Sequence, residues 1–309
     1  MTKLKAGVIG VGHIGREHAR VYSLFPQVEF VGVNDIDLDV SKRVAYQYNN
    51  KPFESVEEMA DQCDIVSVST PTNTHFEIAS FFLNRGKHVL VEKPITDDTE
   101  QARALVKLAR EKKVILQVGH IERFNPALRA LEQKLTRPQF IEAHRLSPYP
   151  GRSTDIGVVL DLMIHDLEII LHLVRSPIAA IDSVGVAVLS KGEDIANARI
   201  RFENGCVANI TTSRISPEKL RKIRVFQDDT YLSLDYQAQN GEIYKKVKSQ
   251  IQRENITVEK DEPLRLEIAS FVECVMAKSE PLVGGVQGAA ALDVAMTITD
   301  QIWSKVPKA

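Results

Sequence analysis

The first fifteen residues constrain the chain most. An apolar run (Leu4, Ala6, Val8, Ile9) leads into Gly10-Val11-Gly12-His13-Ile14-Gly15, and a helical pattern (Ile14, His18, Val21, Leu24) leads out. A G-x-G-x-x-G turn between a strand and a helix marks a dinucleotide site. Gly10 permits the tight turn, Gly12 leaves room for pyrophosphate, and Gly15 lets the helix close onto the strand. His13 and Ile14 lie at the helix N-terminus, whose free N–H groups and positive dipole end favour phosphate. The alternative is a glycine-rich turn in another α/β protein, and the strand and helix patterns on either side weigh against it.

A second strand pattern, Val28 to Val33, ends in Asn34-Asp35. Asp35 falls about 20 residues after the turn, where a carboxylate accepts hydrogen bonds from the adenosine ribose and repels a 2′-phosphate. That spacing points to NAD over NADP. Asp37 competes for the role, and a solvated loop aspartate is the alternative.

Further strand patterns follow at Pro52-Phe53, 64–69, 87–91 and 114–118, with helical patterns between them. This alternation predicts a doubly wound parallel sheet. Two of its strand ends carry polar residues. Thr70-Pro71-Thr72-Asn73-Thr74-His75 follows one, and Glu92-Lys93-Pro94 follows another; ligands lie at that edge of open α/β sheets.

With 309 residues, two domains are expected, at 1–122 and 123–309. A formal net charge of -2 speaks against a nucleic-acid surface. No apolar run is long enough for a bilayer, and the N-terminus enters a strand at once, leaving no room for a signal peptide. Three scattered cysteines (Cys63, Cys206, Cys274) fit reduced cytoplasmic thiols rather than disulfides or a zinc site.

After Gly119 the pattern changes. Residues 124–135 read as a linking helix with Pro126 in its first turn. Residues 140–145 read as a strand, and 157–174 as a strong helix with Thr154 or Asp155 as N-cap. From Ile181 to about Lys248 the period is two, with turns at Asn204-Gly205, Asp228-Asp229 and Asn240-Gly241, which reads as an antiparallel meander. Lys245 to Lys260 reads as a charged, mobile strand-loop. Helices at 264–277 and 287–303 close the chain.

Three constellations could carry chemistry. Lys93 could hydrogen-bond a substrate hydroxyl and stabilise an alkoxide; alone, such a lysine is usually a surface residue. Asp161 and His165, four apart on the apolar 157–174 helix, share one face, and histidine suits proton transfer near neutral pH. The alternatives there are a core histidine satisfied by partners, or a metal pair completed by His120 or His75. The third is His120-Ile121-Glu122-Arg123-Phe124-Asn125, where His120, Arg123 and Asn125 could contact a sugar or phosphate, with Tyr149 and Arg152 as weaker candidates. Against this, Arg123 could pair with a carboxylate while Phe124 enters the core.

Together these motifs resemble the glucose–fructose oxidoreductase/inositol dehydrogenase (Gfo/Idh/MocA) family. The resemblance rests on the opening glycine turn, STPTNTH at 69–75, EKP at 92–94, RFNP at 123–126 and DLMIHDLE at 161–168. It implies an N-terminal Rossmann domain and a C-terminal α/β domain with an open, mostly antiparallel sheet. It also implies a catalytic lysine at Lys93 and a substrate helix bearing Asp161 and His165. Met163 stands where the family pattern has glycine, and Glu168 where it often has aspartate; both departures bear on substrate choice rather than on cofactor. The cofactor set implied is Gly10, Gly12, His13, Ile14, Gly15, Asp35, Thr70, Thr72, His75, Glu92 and Lys93, with NAD as cofactor and no metal.

Within the family, the helix from Asp155 onward looks like that of bacterial UDP-N-acetylglucosamine 3-dehydrogenases, which feed 3-amino-sugar synthesis for lipid A or other envelope glycans. The expectation is therefore NAD-dependent oxidation of a sugar hydroxyl by a cytoplasmic homodimer or homotetramer. The rivals are a free-polyol dehydrogenase of the inositol type and a non-catalytic NAD-sensing protein. Either Lys93 or His165 could be the general base.

Overall fold

The computed structural model describes residues 3–149 and 156–304. The chain divides into two compact units: one comprises residues 3–121 and 262–289, the other 122–149, 156–261 and 290–304.

In the first unit β1 (Leu4–Ile9), α1 (His13–Leu24), β2 (Val28–Asn34), α2 (Leu38–Gln47), β3 (Lys51–Pro52) and α3 (Val56–Gln62) are followed by β4 (Ile65–Val68), α4 (His75–Asn84), β5 (His88–Glu92), α5 (Thr99–Lys112) and β6 (Leu116–Gly119). All strand pairs are parallel, in the order β3-β2-β1-β4-β5-β6. The order reverses between β1 and β4, which opens a crevice at their carboxyl ends. Ile65, Val66, Val68, Val89, Leu90 and Val91 are fully buried, as a sheet covered on both faces requires. Side chains start the helices: Asp37 accepts the N–H groups of Asp39 and Val40, Ser55 that of Glu58, and Asp98 that of Gln101. Asp37 is thus committed to a helix cap.

In the second unit α6 (Pro126–Glu132) is shorter than its sequence pattern. β7 (Phe140–Leu146) comes next, then a π-helical turn (Val159–Met163) that runs directly into α7 (Ile164–Val174). The expected caps Thr154 and Asp155 lie outside the described residues. Seven strands complete the sheet: β8 (Ile178–Val186), β9 (Ile195–Phe202), β10 (Val207–Ser213), β11 (Leu220–Gln227), β12 (Thr230–Asp235), β13 (Asn240–Val247) and β14 (Gln250–Ile256). Their order is β14-β13-β12-β11-β7-β10-β9-β8, antiparallel except between β7 and β10.

The expected meander is therefore split, because β7 inserts between β10 and β11. Register explains the insertion. Buried Ile141 and Ala143 face Ala208 and Ile210 on one side and Val225 and Ile223 on the other, so one apolar stripe crosses three strands. The helix packs Val159, Met163, Ile164, Leu167 and Ile170 into the same core. The stretch read as a strand-loop at 245–260 contains a defined edge strand, β14, whose exposed side chains include Arg253 and Glu254. Charge on such an edge discourages further pairing.

The chain ends with α8 (Pro263–Ala277) and α9 (Gly285–Ser304). The first unit ends at residue 121 and takes in residues 262–289 as well. The cause is the apolar stripe of α8: Leu264, Ile268, Phe271, Val272 and Val275 share a core with Ala19, Val21 and Tyr22 of α1. Val118 of β6 also donates its N–H to the carbonyl of Val283 at 2.9 Å. Cys63, Cys206 and Cys274 are buried and unbridged. No helix among the described residues is long and apolar enough to cross a membrane.

Candidate active site

The glycine turn has the geometry that its sequence predicts. Gly10 has φ +76°, and a Cβ there would lie 2.7 Å from the Ser69 carbonyl oxygen; at Gly15 a Cβ would lie 1.9 Å from the Gly10 carbonyl oxygen. Gly12 differs, since a Cβ there would meet nothing within 4 Å. Its glycine is not required by packing and leaves the approach to the α1 N-terminus open. No side chain caps that terminus, so its N–H groups are available to an anion. The adjoining cleft, about 970 Å³, is lined by Gly10, Gly12, Asp35, Ser69, Thr70 and Thr74 among others. Asp35 accepts the Val11 N–H at 2.7 Å through one carboxylate oxygen and the Asp37 N–H at 3.0 Å through the other. A carboxylate has about four acceptor sites, so it retains capacity for ribose hydroxyls. Open turn, uncapped helix and carboxylate together fit a dinucleotide.

His13 is exposed and Ile14 and Thr72 are half-buried, all near this edge. Thr74 donates its hydroxyl to Thr70 at 2.7 Å, which folds the turn after β4 back on itself. His75 is fully buried. Its ring nitrogens lie 2.9 Å from the carbonyl oxygens of Pro94 and Thr70. Burial lowers its pKa although both carbonyls favour the charged form. His75 therefore clamps the turn after β4 to the segment after β5 instead of lying open to a ligand. Glu92 points inward to His18, Nε2 to Oε1 3.0 Å. Lys93 follows at the strand end, half-buried, and the Lys93–Pro94 peptide is cis.

In the second unit Asp161 lies in the π-helical turn and His165 in the first turn of α7, both half-buried. Such widened turns occur frequently at functional sites. Buried charges hold this helix. Arg145 on β7 meets Asp166 through two hydrogen bonds, 2.9 and 3.0 Å, and Glu122 at 3.0 Å. Burial opposes the Arg145 charge, but Asp166 and Glu122 outweigh it and raise its pKa. Arg123 donates to Glu168 at 2.8 Å. Burial pushes Glu168 up to about 7, with Arg123 acting in the opposite direction.

Two expected substrate contacts thus have structural partners. Arg123 is 2% exposed and paired with Glu168, and Phe124 is in the core. Asn125 caps α6, accepting the Ala127 N–H at 3.1 Å, and donates to the Tyr236 carbonyl at 3.0 Å. His120 is also buried. Tyr149 is exposed, and Arg152 lies outside the described residues.

Glu193 is a residue that the sequence reading missed. Its carboxylate accepts the Val159 N–H at 3.1 Å and the Trp303 indole N–H at 3.1 Å, and its carbonyl accepts the Val158 N–H at 3.0 Å. It anchors the π-helical turn where a local cap was expected. A Cβ on Gly157 would lie 1.9 Å from Glu193 Oε1, so the glycine admits the anchor. Nothing local to 157–174 signals a partner from residue 193.

Comparison with known proteins agrees with this arrangement. Residues 4–120 match the model of the oxidoreductase family with an NAD-binding Rossmann fold, and residues 130–232 match the GFO/IDH/MocA C-terminal domain. The chain is 37% identical over 305 residues, 96% of its length and 97% of the relative's, to a UDP-N-acetylglucosamine 3-dehydrogenase of Acidithiobacillus ferrooxidans. A solved structure of the enzyme of that name from the same organism superposes with TM-score 0.93 at 36% identity, covering 98% of this chain and 99% of that one. A scyllo-inositol 2-dehydrogenase (NAD(+)) of Bacillus subtilis is 24% identical over 99% of this chain and 96% of its own. With its glycine turn, Asp35 and two-sheet architecture, the chain belongs to the GFO/IDH/MocA family of NAD-binding oxidoreductases.

Proposed function

We propose that this protein oxidises the C3 hydroxyl of UDP-N-acetylglucosamine to a ketone. The observation that carries the reading is end-to-end similarity, at 37% identity, to an enzyme named for that reaction. Bound NAD supplies the hydride acceptor. The chain supplies the glycine turn and α1 N-terminus for the pyrophosphate, Asp35 for the adenosine ribose, and Lys93 as a cation for the developing alkoxide. His165 takes the hydroxyl proton, and Asp161 orients either His165 or the sugar. Tyr149 and Arg152 are the remaining candidates for the nucleotide part of the substrate. The 3-keto sugar would then serve an aminotransferase making 3-amino sugars for lipid A or another envelope glycan, in the cytoplasm. A homodimer or homotetramer is the assembly we expect.

The test is direct. Purified protein mixed with NAD and UDP-N-acetylglucosamine, with and without a keto acid acceptor, should form NADH and a product two hydrogens lighter. Turnover with myo-inositol and none with the nucleotide sugar would replace this reading with the polyol one. Lys93→Met and His165→Asn should each lower kcat by about 10²–10⁴ while NADH fluorescence titration shows retained binding. Normal turnover by both would overturn the residue assignment.

A further inference from the structure

Beneath the Glu92-Lys93-Pro94 segment, within the first unit, three ionisable side chains converge that the mechanism above does not use. His18 of α1, Glu92 of β5 and Glu267 of α8 bring ring nitrogen and carboxylate oxygens within 4.8 Å of one another. His18 and Glu267 are fully buried, and the Glu92 side chain is 14% exposed. The His18 ring is engaged on both sides: Nε2 lies 3.0 Å from Glu92 Oε1, and Nδ1 lies 3.0 Å from Ser67 Oγ. Ser67 Oγ also meets the Tyr22 hydroxyl at 3.0 Å. From β6, a Cβ on Gly119 would fall 2.7 Å from Glu92 Oε1, so Glu92 is closely packed there.

Glu267 stands apart in this cluster. Neither carboxylate oxygen has a hydrogen-bond partner among the described residues, although the side chain is wholly out of water. The groups facing it are His18 and Tyr22 from α1 and Glu92 from β5. Gln117 of β6 donates to its main-chain carbonyl at 3.1 Å and not to its carboxylate. An ionised carboxylate in such a place, beside a second carboxylate, is far costlier than a protonated one. Burial first, and Glu92 second, push the Glu267 carboxyl well above the usual range.

We infer that Glu267 is a positioning residue, whose carboxyl keeps its proton in the folded protein and so packs beside the Glu92 carboxylate and holds it in place beneath Lys93. The inference rests on the reading of Lys93 as the catalytic cation. Glu267 touches neither substrate nor cofactor and acts through Glu92. A divalent cation is the other way to neutralise two adjacent carboxylates. The engagement of both His18 nitrogens with Glu92 and Ser67 favours the proton.

Three variants of the whole chain test it. Glu267→Gln reproduces the shape and neutrality of the protonated acid and should keep kcat within about twofold of wild type. Glu267→Leu should lower kcat by about tenfold or more, shift the pH profile of kcat, and leave NADH affinity unchanged. The wild-type minus Glu267→Gln difference infrared spectrum at neutral pH should contain a protonated-carboxyl C=O band that shifts in D2O. A glutamine variant as impaired as the leucine one, absence of that band, or a stoichiometric metal in the purified protein would each overturn the inference. The band requires no substrate, so it is independent of Lys93→Met, whose full activity would instead remove the catalytic reading.

Discussion

Single residues around the glycine turn separate folding from binding. Gly15 and Gly12 look equivalent in the motif, yet their surroundings are opposite: a Cβ at 15 strikes the Gly10 carbonyl at 1.9 Å, while a Cβ at 12 meets only open space. Gly15→Ala should therefore destabilise the fold by at least about 3 kcal/mol in urea titration. Gly12→Ala should cost no more than about 1 kcal/mol, the difference between the two residues at a helix N-cap. It should nonetheless weaken NADH binding by at least tenfold, about 1.4 kcal/mol, as read by fluorescence titration. Equal stability loss in the two would contradict this division. The motif alone located the turn; only the neighbours reveal which glycine serves packing and which serves the ligand. Asp35 and Asp37 show the same limit, because two carboxylates two residues apart are distinguished only by which one finds the start of α2.

At the scale of elements, the helix carrying Asp161 and His165 is held from outside itself. Glu193 anchors its N-terminal turn, and the Arg145 contacts to Asp166 and Glu122 fasten its buried side. Replacing Arg145 by Met leaves buried Asp166 without its cation and leaves Glu122 only Arg221, at 3.7 Å. That change should cost about 3–5 kcal/mol of stability, measured by chemical denaturation. Loss under about 1 kcal/mol would mean that water reaches the pair. Much at this scale was readable in the chain. The parallel sheet followed from alternating patterns, and the strands of the second sheet followed from period-two runs. The insertion of β7 between β10 and β11 was not readable, since pairing across more than sixty residues has no local signal. Arg123 and Asn125 show a related limit: polar residues near a strand end read as ligand contacts, and their partners Glu168 and Tyr236 lie far along the chain. Glu267 did leave a trace, as a carboxylate within the apolar stripe of Leu264, Ile268 and Phe271. A charge in that position requires a buried partner or a proton.

For the whole molecule, the buried acids set how stability varies with pH. Glu168, raised to about 7, and Glu267, raised well above its ordinary range, hold protons in the folded state that the unfolded chain releases near 4.5. Over that interval the native state binds more protons than the unfolded one. These groups thus stabilise the fold fully below about pH 4.5, and their contribution fades as pH rises through their folded values. Each group within its window should contribute a slope of about 1.4 kcal/mol per pH unit. Denaturation midpoints should consequently fall between about pH 5 and about pH 7, and Glu267→Gln should flatten part of that fall. A midpoint that rises across the interval in wild type and variant alike would show that both carboxylates are ionised in the native protein.

The return of α8 to the first unit has a consequence for the birth of the molecule. As the chain leaves the ribosome, the nucleotide-binding unit emerges ahead of the second sheet, with its glycine turn and six strands already made. The core that Ala19, Val21 and Tyr22 of α1 share with the sheet lacks its α8 side until residues 264–275 follow, after the whole second sheet. Through that interval the first unit carries a partly uncovered apolar core, and a helix made after the second sheet completes the unit that was made before it.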